Sequence, residues 1–106
     1  MLDWTLEASQ IAQGRKREDL DSDRIFFNAV IRCIEVIGEA ASKISLECRY
    51  QYPQIPWEDI IGMRNRLIHA YFDIQTDIVW KTVVNELPYL RQELEKIVSM
   101  MREKDI

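Results

Sequence analysis

The chain has 106 residues, 47% hydrophobic and 30% charged, with a formal net charge of -4 and a pI of about 5.0. These totals fit a single globular domain over residues 1–106 and exclude a disordered chain. The acidic balance argues against indiscriminate nucleic-acid binding through a broadly basic surface and leaves room for a small basic cleft.

Three glycines and three prolines predict long helices rather than many short strands. The first helix is expected over residues 2–13, where Leu6, Ala8 and Ile11 give modest helical spacing and Gly14 can end it. The run Arg15-Lys16-Arg17-Glu18-Asp19 follows. It reads either as a solvated connection or as an extra phosphate-contacting patch. Ser22 or Asp23 can cap the second helix, because either side-chain oxygen can accept an unpaired N–H of the first turn. Phe26, Val30, Cys33, Ile37, Ala40 and Ile44 then step by three and four, and Phe27, Ile34 and Ala41 widen the seam. A helix apolar over so much of its circumference belongs in the centre of a bundle. Arg32, Glu35, Glu39 and Lys43 lie off the seam, Glu39 and Lys43 as a favourable i, i+4 pair. Gly38 and Ala41 are small enough to permit close helix approach.

The stretch from Tyr50 to Pro56 breaks the pattern with two prolines. Pro56 suits the first position of a third helix, and Glu58 and Asp59 suit the positive end of its dipole. Trp57, Ile60, Ile61, Leu67 and Ile68 are its apolar anchors, and it is expected to fade over residues 69–72. Thr76-Asp77 signals a last helix, with a stripe of Ile78, Trp80, Val83, Val84, Leu87, Leu90, Leu94, Ile97 and Met101. The apolar phase carries across Pro88, which predicts a kink rather than two unrelated helices. Four such stripes are buried most simply in an all-α, antiparallel four-helix bundle.

Cys33 and Cys48 show no metal-ligand spacing. The opening Met1-Leu2-Asp3-Trp4 lacks the basic start of a signal peptide, and no apolar run approaches the roughly 18 residues of a membrane helix. A cytoplasmic protein without a membrane segment is therefore expected.

The chemistry-bearing residues cluster in Arg64-Asn65-Arg66-Leu67-Ile68-His69-Ala70-Tyr71. His69 is the single histidine. Asn65 and Arg66, four and three residues before it, share its helix face. An amide, a guanidinium and an imidazole together suit an anionic ligand: Arg pairs with phosphate, Asn orients a hydroxyl, and His moves a proton near neutral pH. Arg64 lies five residues before His69, about 140° round an ideal helix. The two therefore meet only through a long reach or in a composite cleft between two helices or two subunits. Tyr71 reads equally as a packed helix-end aromatic or as an exposed phenol beside the site.

The same eight residues resemble the R-x4-6-H-x-Y motif of HepT-like toxins, in the HEPN ribonuclease class. Ile37-Gly38-Glu39-Ala40-Ala41, Tyr52-Pro53-Gln54-Ile55-Pro56-Trp57 and Val79-Trp80 resemble further family signatures in family order, so the likeness spans nearly the whole chain. The resemblance implies a HEPN-type bundle, a homodimer with its cleft at the two-fold interface, and metal-independent RNA cleavage without a cofactor of its own. It implies Arg64 and His69 as catalytic and Asn65 as substrate-positioning; Arg66 joins Asn65 from helical spacing, as a phosphate contact. It also implies a minimal nucleotidyltransferase antitoxin of the MntA type as partner, which uses ATP and Mg to transfer AMP to Tyr71. The competing expectation is a non-catalytic helical module that pairs with a nucleotidyltransferase or binds a nucleotide.

Overall fold

A computed structural model describes residues 1–69 and 76–104, and among these every regular element is helical. In chain order they are α1 (Leu2–Ala12), α2 (Asp19–Ser22), α3 (Arg24–Ser42), α4 (Leu46–Gln51), α5 (Trp57–His69), α6 (Thr76–Lys81), one π-helical turn (Thr82–Glu86) and α7 (Leu87–Lys104). The all-α bundle expected from the periodicity is what forms. Its four long runs are α1, α3, α5 and the continuous stretch from α6 through α7, while α2 and α4 are short helices within connections. α3 packs against α1 and α5, and α7 packs against α1.

α3 is central for the reason its seam indicates. Phe26, Val30, Ile31, Cys33, Ile34, Ile37 and Ala41 are all buried. Asp23 is the cap: its carboxylate accepts from the Phe26 N–H at 3.1 Å. The helix ends at Ser42, earlier than the apolar spacing to Ile44 suggested. Arg49 of α4 explains the stop, because its guanidinium donates to the carbonyls of Ser42 and Ile44, both at 3.0 Å. A cation on the last carbonyls of a helix satisfies acceptors that have no partner within the helix and suits the negative end of the dipole. Pro56 sits just outside α5 rather than in its first turn; its carbonyl accepts the Ile60 N–H at 3.1 Å.

The interruption expected at Pro88 takes the form of the π turn just before it. Pro88 has no N–H to donate to the carbonyl four residues back, and the Leu87 N–H reaches instead to the Thr82 carbonyl, five residues back. The inward face keeps ordinary helical spacing through this turn. Val79, Thr82, Val83, Leu87 and Leu90 are buried, whereas Val84 is 40% exposed. Ile78 and Trp80, expected on the stripe, flank buried Val79 about 100° to either side and are only half-buried. Buried Thr82 donates its hydroxyl to the Ile78 carbonyl at 2.8 Å, which removes the penalty of burying it.

The closest approach of α3 and α5 is at Gly38. A Cβ placed there would lie 2.2 Å from Cβ of Arg64 and 3.1 Å from the Ile60 carbonyl oxygen. Both atoms are on or next to the backbone, so the helices themselves would have to separate. Gly62 on the exposed side of α5 has nothing within 4 Å of such an atom. Two substitutions of the same chemistry should therefore act in opposite directions. In urea denaturation, Gly62→Ala should stabilise by about 0.5–1 kcal/mol through helix propensity. Gly38→Ala should destabilise by about 1–3 kcal/mol through overpacking. Equal effects would remove the close approach from the account.

Candidate active site

The helix α5 projects its residues in two sets. Ile60, Met63 and Leu67 pack on the core, and Arg64 lies between them on the side that meets α3. Asn65 and Arg66 are exposed. Arg64 is thus an arginine at a position whose neighbours along the helix face inward. The notch at Gly38 admits its stem, and its head emerges with the side chain 25% exposed.

Two hydrogen bonds fix that head. Nη2 donates to Oε2 of Glu39 on α3 at 3.0 Å, and Nη1 donates to Oδ1 of Asn65 at 3.0 Å. Nε is buried and has no partner among the described residues. Glu39 also lies 3.6 Å from Nζ of Lys43, the i, i+4 pair expected from the spacing. The hydrogen bond and charge of Arg64, followed by the charge of Lys43, hold the Glu39 carboxyl below the usual carboxylate range. It is ionised at neutral pH. Arg64, Glu39, Arg32, Glu35 and Val36 line an open cleft of about 290 Å³. It is a mixed-charge surface rather than a basic one.

Of the residues singled out from the sequence, Arg64 and Asn65 are therefore brought together. Arg66 is exposed and, two positions along the helix from Arg64, projects about 160° away from it. His69 is the last residue of α5. The helix is continuous from Asn65 to that point, so the backbone spacing that groups Asn65, Arg66 and His69 on one face holds. The side chain of His69 and the whole of Tyr71 lie outside the described residues. Glu39 is the site residue that residue-by-residue reading missed. Its signals are the pairing with Lys43 and its place in the Ile37–Ala41 stretch that resembles a family signature, and neither points to its partner Arg64, 25 residues away.

The basic run after α1 is occupied internally. Arg15 pairs with Asp23 and stacks over the Phe26 ring, 4.3 Å from its centroid. Arg17 pairs with Asp21 and with Asp77 at the start of α6. The Thr76 hydroxyl adds a 3.2 Å hydrogen bond to Asp21. Of the two readings of this run, a connection that ties helices together accounts for both arginines. The two cysteines are free thiols, and burial pushes the Cys33 thiol up to about 11. Among the described residues no helix is long and apolar enough to cross a membrane.

Beside α5 lies a separate, largely apolar groove of about 300 Å³, lined by Ile34 and Ile37 of α3, Ile60 and Met63 of α5, and Leu87, Tyr89 and Leu90 of α7. Tyr89 is 45% exposed at its edge.

Comparison with known proteins identifies the family of the chain. The family described as "Ribonuclease HepT-like" matches residues 1–97. The protein named "Putative RNase MJ0125" of Methanocaldococcus jannaschii is 44% identical over 92 residues, covering 82% of this chain and 79% of its own length. "Putative RNase MJ1216" of the same organism is 36% identical over 105 residues, covering 99% of this chain and 87% of its own. "Probable ribonuclease HepT" of Thermococcus cleftensis is 41% identical over 80 residues, covering 76% and 73%. No solved structure matches the chain significantly. The family match over nearly the full length, together with these relatives, shows that the chain belongs to the HepT-like ribonuclease family.

Proposed function

We propose that this chain is a metal-independent endoribonuclease, the toxin of a toxin–antitoxin pair of type VII, with Arg64 and His69 as its catalytic residues. The observation that carries this reading is the guanidinium of Arg64. It is held by Glu39 and Asn65 at a polar cleft, five residues ahead of the single histidine, in a chain of this family. In the proposed reaction, His69 takes the proton of a ribose 2′-hydroxyl as it attacks the adjacent phosphate, or returns a proton to the departing 5′-oxygen. Arg64 stabilises the added negative charge of the phosphorane-like transition state, the kind of electrostatic help that usually contributes most. Asn65 positions the scissile group and Arg66 contacts a neighbouring phosphate. The products carry a 2′,3′-cyclic phosphate and a free 5′-hydroxyl.

The working form in this proposal is a homodimer whose cleft lies at the two-fold interface. Two features support it. Arg64 faces α3 while His69 ends the helix about 140° further round, so a second subunit is the simplest way to complete the site. The apolar groove between α5 and α7 also leaves Ile60, Met63 and Tyr89 partly exposed, a surface that a second copy of the chain would cover. The proposed partner is a minimal nucleotidyltransferase antitoxin of the MntA type, which transfers AMP from ATP to the Tyr71 phenol and releases pyrophosphate. A bulky anion two residues from His69 would repel RNA phosphates and fill the cleft. ATP and Mg belong to the partner's reaction.

Purified protein should cleave RNA in the presence of EDTA and leave cyclic phosphate ends. His69→Ala and Arg64→Ala should each lower the rate by about 100-fold or more with circular dichroism unchanged. Cleavage that survives both substitutions would sink the catalytic reading. Tight association with the nucleotidyltransferase and no cleavage would point to the non-catalytic binding module instead. Intact mass after co-expression with an active antitoxin should show adenylate increments that disappear in Tyr71→Phe. An unchanged mass would contradict the proposed control of the toxin.

A further inference from the structure

Glu39 is not on the eight-residue stretch that carries the chemistry, yet among the described residues it is the one that makes an inter-helix polar contact to it. Three observations give this contact a direction. Gly38, its neighbour in sequence, opens the notch through which the Arg64 stem passes, so the two helices are locked in register at this point. The carboxylate then meets Nη2 of Arg64 at 3.0 Å from α3, while Asn65 meets Nη1 from α5 itself. Lys43, 3.6 Å away on the other side, offsets the negative charge that Glu39 would otherwise present to an incoming anion. An arginine has five N–H donors on a long flexible stem. Glu39 and Asn65 use one on each terminal nitrogen and leave the second N–H of each for a ligand.

We infer that Glu39 is a positioning residue for Arg64: it fixes the guanidinium plane before substrate arrives, so that its remaining donors are set for the charge that develops on the phosphoryl oxygens. This rests on the reading of Arg64 as catalytic. A carboxylate that merely occupied the phosphate site would have the opposite effect, since its removal would free the arginine for substrate. The pair is partly exposed, so its contribution to stability is small and its contribution to geometry is the measurable one. Displacing a reacting group by about 1 Å can lower a rate by about 100-fold.

The test uses Glu39→Gln, which keeps the shape and one acceptor but removes the charge, alone and combined with Arg64→Ala, in the full-length protein on a short single-stranded RNA. Glu39→Gln should lower kcat by about 10–100-fold and change KM by less than about threefold, with the melting temperature close to that of the parent. Within the Arg64→Ala background the same substitution should have no further effect on rate. Equal fractional losses in both backgrounds would overturn the inference, because Glu39 would then act independently of Arg64. Wild-type or higher activity of Glu39→Gln would overturn it too, and would make the carboxylate a competitor of the phosphate. If Arg64→Ala alone retains full activity, it is the assignment of Arg64 that falls, a result separable from either outcome at Glu39.

Discussion

Helices α3 and α5 approach so closely at Gly38 that no larger residue fits opposite Arg64 without moving the backbone. Most of what distinguishes this molecule from a generic helical bundle follows from that contact. It sets the register of α5 on the central helix, and with it the inward placement of Ile60, Met63 and Leu67. It brings a guanidinium, costly to bury unpaired, to the edge of the core, where a carboxylate from the other helix receives it. The same approach leaves Asn65 and Arg66 on the exposed part of α5. A packing constraint and a candidate reaction centre thus share one pair of residues.

The electrostatics are local for the same reason. A chain with a formal net charge of -4 does not attract RNA by its overall field, so affinity has to come from a few placed cations. The arginines of the basic run after α1 are consumed in pairs with Asp21, Asp23 and Asp77 that tie the first connection to the start of α6. The cations that line the cleft, Arg32 and Arg64, are matched by Glu35 and Glu39. Such a surface favours orientation over strong non-specific attraction, which suits the proposed composite cleft.

Much of the fold could be read from residue order because it is local. The α3 seam, the Asp23 cap and the Glu39–Lys43 pair all depend on spacings of three or four residues, and all are present. The points of difference depend on something further away. The end of α3 at Ser42 depends on Arg49 reaching back across a turn. The π turn before Pro88 depends on the Leu87 N–H reaching the Thr82 carbonyl, a bond that apolar spacing does not reveal. At the site, helical spacing alone grouped Asn65, Arg66 and His69 and left Arg64 on a different face; family resemblance supplied the pairing of Arg64 with His69. The contact from Glu39 was invisible to both routes, since it joins helices 25 residues apart.

In the proposed site Arg64 and His69 work together across two copies of the chain. Differently tagged Arg64→Ala and His69→Ala subunits, co-expressed and purified as mixed dimers, test it most directly. Each parent homodimer should be inactive on RNA, while the mixed dimer, with one intact Arg64 and one intact His69 in different chains, should regain cleavage. A mixed dimer as inactive as its parents would place the pair within a single chain and contradict the composite site.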